Sequence, residues 1–86
     1  MTFIVYSKPN CGFCDQTKSL LTQKGLTYEE IILDVGQAKT ESTTYISRDA
    51  LLAAIPSART MPQIVKRDNN QETYIGGFTE LRSHLS

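Results

Sequence analysis

The chain has no tryptophan, a single histidine and only two cysteines among its 86 residues. Two cysteines cannot build a framework of bridges, which excludes a small secreted scaffold of that kind. Together with His84 they also fall short of the four ligands of a structural zinc site. His84 reads instead as a surface residue of a terminal helix. Neither sign of charge is in excess, since nine Lys and Arg balance nine Asp and Glu. No basic face is forced on the fold, so nucleic acid is a poor partner. The longest apolar runs, Phe3–Tyr6 and Ala50–Ile55, are far too short to cross a bilayer. The opening Met1-Thr2-Phe3-Ile4 has no basic region ahead of an apolar segment, and it reads as the start of a mature, cytosolic protein. The length fits one domain, residues 1–86, with a modest core.

What is present has a clear order. Phe3-Ile4-Val5-Tyr6 is β-branched and aromatic and predicts a buried strand. Asn10 to Cys14 opens a helix whose apolar stripe runs through Phe13, Cys14, Thr17, Leu20 and Leu21. Lys18 and Lys24 lie towards its C-terminal end, and Gly25 suits a left-handed cap. Tyr28 to Leu33 predicts a second strand, parallel to the first through a right-handed crossover. Asp34 to Thr44 is polar and without period, an exposed connection with room for a short helical turn. Ser47 can cap a helix through Leu51, Leu52 and Ile55 that Pro56 ends. Gln63 to Lys66 and Glu72 to Ile75 predict a hairpin around the turn residues Asp68-Asn69-Asn70. Gly76-Gly77 breaks the chain before a last helix that starts at Phe78 or Thr79 and carries Leu81 and Leu85. The expected class is α/β with the order β-α-β-α-β-β-α.

Both cysteines fall in Lys8-Pro9-Asn10-Cys11-Gly12-Phe13-Cys14, on a strand-to-helix turn. Cys11 there meets the free N–H groups and positive end of the helix, which favour a thiolate. Lys8 adds a cation on the same side; it is solvated in any reading, yet its long stem lets it reach an anion near Cys11. Cys14, one turn further in, is placed to attack a mixed disulfide formed on Cys11. The pair therefore reads as a dithiol that cycles with a disulfide. Two structural cysteines that happen to be close are the plainer alternative, weaker because CxxC beside a βαβ pattern is a specific redox signal. Phe13 reads equally as core or as an exposed aromatic edge that shapes access.

Three segments in order resemble the glutaredoxin family: the cysteine segment, Arg59-Thr60-Met61-Pro62-Gln63-Ile64, and Ile75-Gly76-Gly77-Phe78-Thr79-Glu80-Leu81. The short length and the Thr-Met-Pro and Gly-Gly-Phe variants are similar to bacteriophage-type members. The resemblance implies a thioredoxin-like fold, a four-stranded mixed sheet with helices on both faces. It implies a glutathione-disulfide oxidoreductase in which Cys11 is the nucleophile and Cys14 the resolving cysteine. It implies a cis bond before Pro62, opposite Cys11, although a strand-starting proline is the plainer reading of that residue. Glutathione would be held by Lys8, Phe13, Arg59, Thr60, Met61, Pro62, Gly76, Gly77, Phe78 and Thr79. Lys8 and Arg59 would take its carboxylates, and the N–H groups opening the last helix would hold the glutamyl end. A plain strand-to-helix turn is the weaker alternative for Gly76-Gly77. The implied setting is a cytoplasmic monomer (in a host cytoplasm if phage-encoded), and ribonucleotide reductase is the implied protein partner.

Two positions depart from the family pattern. Thr79 stands where the family usually has an aspartate that meets the glutamyl ammonium, and Glu80 after it is expected to point elsewhere. Cys-Gly-Phe-Cys is also closer to the Cys-Gly-Phe-Ser motif of iron–sulfur members than to Cys-Pro-Tyr-Cys. A glutathione-ligated [2Fe-2S] carrier is therefore the first alternative. A thioredoxin reduced by a flavin reductase is the second.

Overall fold

In a computed structural model describing residues 1–86, the elements follow the expected order with one addition. They are β1 (Thr2–Ser7), α1 (Gly12–Gln23), β2 (Tyr28–Leu33), β3 (Thr44–Ile46), α2 (Arg48–Ala54), β4 (Gln63–Asp68), β5 (Gln71–Gly76) and α3 (Phe78–Leu85). All five strands form one mixed sheet in the order β3-β2-β1-β4-β5. β1, β2 and β3 run parallel, and β4 is antiparallel to both β1 and β5.

The sheet has five strands where four were expected. β3 is the addition, a three-residue edge strand that pairs Thr44–Ile46 with Ile31–Leu33. Its β-branched and aromatic residues sit between a polar connection and a helix cap, and only the partner strand makes them a strand. The connection before it holds no helix, only a single tight turn in which the Thr43 N–H bonds to the Thr40 carbonyl at 3.4 Å.

β1 shows why the layers separate as they do. Successive side chains of a strand point to opposite faces. Phe3 and Val5 pack with Leu21 of α1, Ile64 of β4 and Leu81 of α3. Ile4 packs on the other face with Val65 and with Leu51 and Ile55, which α2 and its end supply. Both faces of β1 are covered, so its run is apolar rather than alternating.

Local signals end the elements. Ser47 Oγ accepts the Ala50 N–H at 3.1 Å and starts α2. Gly25 takes a φ of +69° after α1, where the Leu26 N–H bonds back to the Leu21 carbonyl. Asn69 and Asn70 both take positive φ and close the β4–β5 hairpin. Across that hairpin Ile64 faces Gly76 while Val65 faces Tyr74, so Ile75 is one residue more on β5 than on β4. Gly76 sits at this bulge with a φ of +123°.

Candidate active site

The end of β1, the start of α1, the start of β4 and the start of α3 meet at one end of the sheet. Cys11 is the N-cap of α1, and its sulfur accepts the Cys14 N–H at 3.1 Å. The two cysteines form a disulfide with a Cα–Cα distance of 5.2 Å. Their exposures differ: Cys11 keeps 9% of its surface and Cys14 only 1%. Cys11 is therefore the more accessible of the two residues. A hydrogen bond from backbone nitrogen and the helix N-terminus both favour negative charge on that sulfur once the bridge opens.

The Met61 carbonyl oxygen lies 3.8 Å from Cys11 Sγ, on the far side of the cleft from α1. The Met61–Pro62 peptide is cis, as the resemblance implied. Gln63 braces this loop from below. It is 4% exposed, its amide donates to the Thr60 carbonyl at 2.6 Å, and its oxygen accepts the Tyr74 hydroxyl. Sequence reading missed Gln63 and Tyr74 as supports, because the bond that joins them crosses between two strands.

A cleft of about 460 Å³ opens over this end. Lys8, Phe13 and the segment Arg59–Pro62 line one part of it, and Gly77, Phe78 and Thr79 line another. Nine of the ten positions expected to hold glutathione thus meet in one cavity. Gly76 does not line it. It is buried, and a Cβ built there would come within 2.9 Å of the Glu80 side chain. Its glycine serves the bulge and the entry to α3, not the cleft. Glu80 also lines the cleft. Its carboxylate turns back to accept the Gly77 N–H at 2.9 Å, so that donor is already taken. Glutamate three residues after an N-cap is the readable signal for this contact.

Phe13 is exposed at 58% and not part of the core. Its ring lies 6.1 Å from that of Phe78, so two aromatics rim the cleft on the α1–α3 side. Arg82 stands over the outer face of Phe78, 5.8 Å from the ring centre. Behind the cysteines, Lys18 pairs with Glu30 at 2.9 Å, and Ser7 donates to the same carboxylate at 2.8 Å. The hydrogen bond with Glu30 holds the Lys18 ammonium above its ordinary pKa, against the opposing effect of burial. No cluster of three or more His, Cys, Asp or Glu forms a candidate metal site.

The family profile described as Glutaredoxin matches residues 3–70. The chain belongs to the glutaredoxin family. It is 34% identical over 80 residues to glutaredoxin-1 of Sus scrofa, a match that covers 93% of this chain and 69% of that one. It is 32% identical over 82 residues to the hybrid peroxiredoxin hyPrx5 of Haemophilus influenzae, covering 95% of this chain. The chain spans only 28% of the length of that protein. Among solved structures, glutaredoxin 1 from Francisella tularensis, complexed with cacodylate, superposes with a TM-score of 0.62 over 98% of this chain and 91% of its own. At 19% identity the likeness is one of fold, and it identifies the mixed sheet and its helices as the thioredoxin-like arrangement of glutaredoxins.

Proposed function

We propose that this protein is a glutathione-dependent thiol–disulfide oxidoreductase. The observation that carries the reading is the unequal cysteine pair: Cys11, the less buried of the two, caps α1 and is bridged to the wholly buried Cys14, and its sulfur lies 3.8 Å from the carbonyl of Met61 in the wall of a cleft that Lys8 and Arg59 also line. In the reduced protein, the Cys11 thiolate attacks one sulfur of a substrate disulfide. A mixed disulfide forms, and the other substrate sulfur leaves as a thiolate that takes up a proton. The Cys14 thiolate then attacks Cys11 Sγ and releases the second substrate sulfur. The substrate has gained two electrons, and the protein holds the Cys11–Cys14 bridge. Two glutathione molecules return those electrons and leave as glutathione disulfide.

The cleft fits such a reductant chemically. Glutathione carries two carboxylates, and Lys8 and Arg59 are exposed cations free of ion pairs. An extended thiol compound lying over Cys11 could pair with the Met61 backbone in the manner of an added strand. The first-turn N–H groups of α3 have no intrahelical acceptor and suit the glutamyl carboxylate. Disulfide-bearing proteins are the substrate class, with ribonucleotide reductase a candidate among them. The reaction belongs in the cytoplasm, where glutathione keeps thiols reduced.

The test uses both single cysteine variants. Cys11→Ser abolishes all transfer. Cys14→Ser keeps turnover of glutathione mixed disulfides and loses most reduction of protein disulfides. Equal loss in both variants on both substrates refutes the assignment. Reduction by a flavin-dependent thioredoxin reductase and not by glutathione assigns the protein to the thioredoxin class of reaction. Visible absorbance after anaerobic purification tests the cluster-carrier alternative.

A further inference from the structure

A second groove, of about 400 Å³, opens beside the cleft on the α2 side of the sheet. The two share Lys8, Arg59, Thr60 and Met61, and the Met61 carbonyl of that shared wall lies 3.8 Å from Cys11 Sγ. The new part has an apolar floor that includes Leu51 and Leu52. Its charged lining is wholly cationic: Lys8, Arg48 and Arg59. None of the three takes part in an ion pair, and all are exposed. Asp49, next to Arg48 in the chain, does not line it. In a chain with no net charge, a groove walled by three unpaired cations and no carboxylate is a local asymmetry.

We propose that this groove receives the polypeptide segment flanking the substrate's reactive disulfide, and that the segment is acidic. The inference rests on the proposed reaction at Cys11. A small disulfide compound needs only the cleft between Met61 and α3. A polypeptide must continue beyond it, and the shared wall leads it past Arg59 towards Arg48. Carboxylates on the segment meet the cations, and its apolar side chains cover the floor. Arg48 is then a specificity residue that never touches the reacting sulfurs. Rim charges of this kind act mainly on association rate and on salt dependence.

Two peptides test the proposal, both presented as mixed disulfides with glutathione. One has Asp and Glu flanking its cysteine, the other Asn and Gln. The glutathione part is common to both and cancels in the comparison. At low salt the wild type prefers the acidic peptide by about three- to fivefold in kcat/KM, and high salt erases the preference. Arg48→Glu removes or reverses the preference, and Arg48→Lys keeps it. The mixed disulfide of glutathione with free cysteine turns over at the same rate in all three proteins. No preference in the wild type overturns the proposal, as does an equal effect of Arg48→Glu on both peptides. Competition by free phosphate without any peptide preference makes the groove a small-anion site and also overturns it. Failure of the wild type to turn over the small mixed disulfide instead refutes the proposed reaction itself.

Discussion

Gly76 and Gly77 are adjacent glycines with opposite requirements, and replacing each with alanine separates them. At Gly76 the φ of +123° lies where L residues are strained, at a cost of about 1–3 kcal/mol. A Cβ there would also meet Cβ, Cγ and Oε1 of Glu80, each at 2.9 Å. Glu80 can relieve the last two contacts by swinging away. It then gives up its bond to the Gly77 N–H, worth about 1 kcal/mol. Gly76→Ala is therefore expected to cost about 2–4 kcal/mol. A chain of this size holds roughly 4–13 kcal/mol in total, at the usual stability per residue. The corresponding fall in Tm is roughly 10–30 °C. Gly77 has a φ of −94°, and its added Cβ would meet nothing closer than 3.5 Å. Gly77→Ala should stay within about 1 kcal/mol of wild type. Thermal and urea unfolding of the oxidised proteins, followed by far-UV circular dichroism, measure both. In a Glu80→Ala background the cost of Gly76→Ala should shrink without vanishing, since the backbone strain and the contact with Cβ persist. A Gly76→Ala cost below about 1 kcal/mol, or an equal cost at Gly77, refutes the reasoning.

Other perturbations address the cleft and its support. Thr79→Asp supplies the carboxylate that the family pattern has at this position. It should lower the Michaelis constant for glutathione by at most about fivefold at low salt, an effect that fades in high salt, as for an exposed pair. No change at low salt removes Thr79 from the proposed site. Lys18 has its pKa raised chiefly by the hydrogen bond it donates to Glu30. Its contribution to stability is therefore complete below the unfolded value of about 10.4 and is lost as the pH climbs through the higher folded value. Urea midpoints of the wild type should drop across that alkaline window by more than those of Lys18→Met. At neutral pH that variant should lose about 0.5 kcal/mol, and parallel pH profiles would show the pair to be silent. Ser47→Ala deprives the Ala50 N–H of its acceptor and should cost about 1 kcal/mol in chemical unfolding. A cost near zero would mean that water replaces the cap.

Much of the fold is legible because its signals are local. Tyr28–Leu33, the cap at Ser47, the Asn69-Asn70 turn and the left-handed Gly25 each depend on residues within a turn or a strand of one another. β3 was not legible, because three residues carry too little pattern and their strand state depends on Ile31–Leu33. The same holds for Gly76. A Gly-Gly pair announces a turn, but which glycine is bound by the backbone depends on the register between β4 and β5. In the candidate site, motif residues such as Lys8, Arg59 and Phe78 come together in one cleft. The site was not read where support is tertiary, as with Gln63 under the Thr60 loop. The cationic groove is of that second kind, since Arg48 and Lys8 meet only once α2 has folded over the end of β1.

The bulge on β5 also decides which changes of length the chain can absorb. Loop growth at Asn69-Asn70 is remote from the site, because Thr2 of β1 pairs with Arg67 there while Tyr6 pairs with Gln63 beside the cleft. Extra residues at that tip add a little loop-closure entropy and leave the chemistry alone. Loss of one residue between Tyr74 and Gly77 does something different. The strand advances by about 3.3 Å per residue, so the start of α3 would be drawn back along the sheet by that distance, away from the Pro62 carbonyl that Gly77 now faces. The Arg59–Pro62 wall would stay while the α3 wall receded, and the two-walled cleft would become an open shelf. Family members that differ in length at the hairpin tip can therefore share a substrate, whereas a single-residue gap beside the glycine pair marks a change in what is bound.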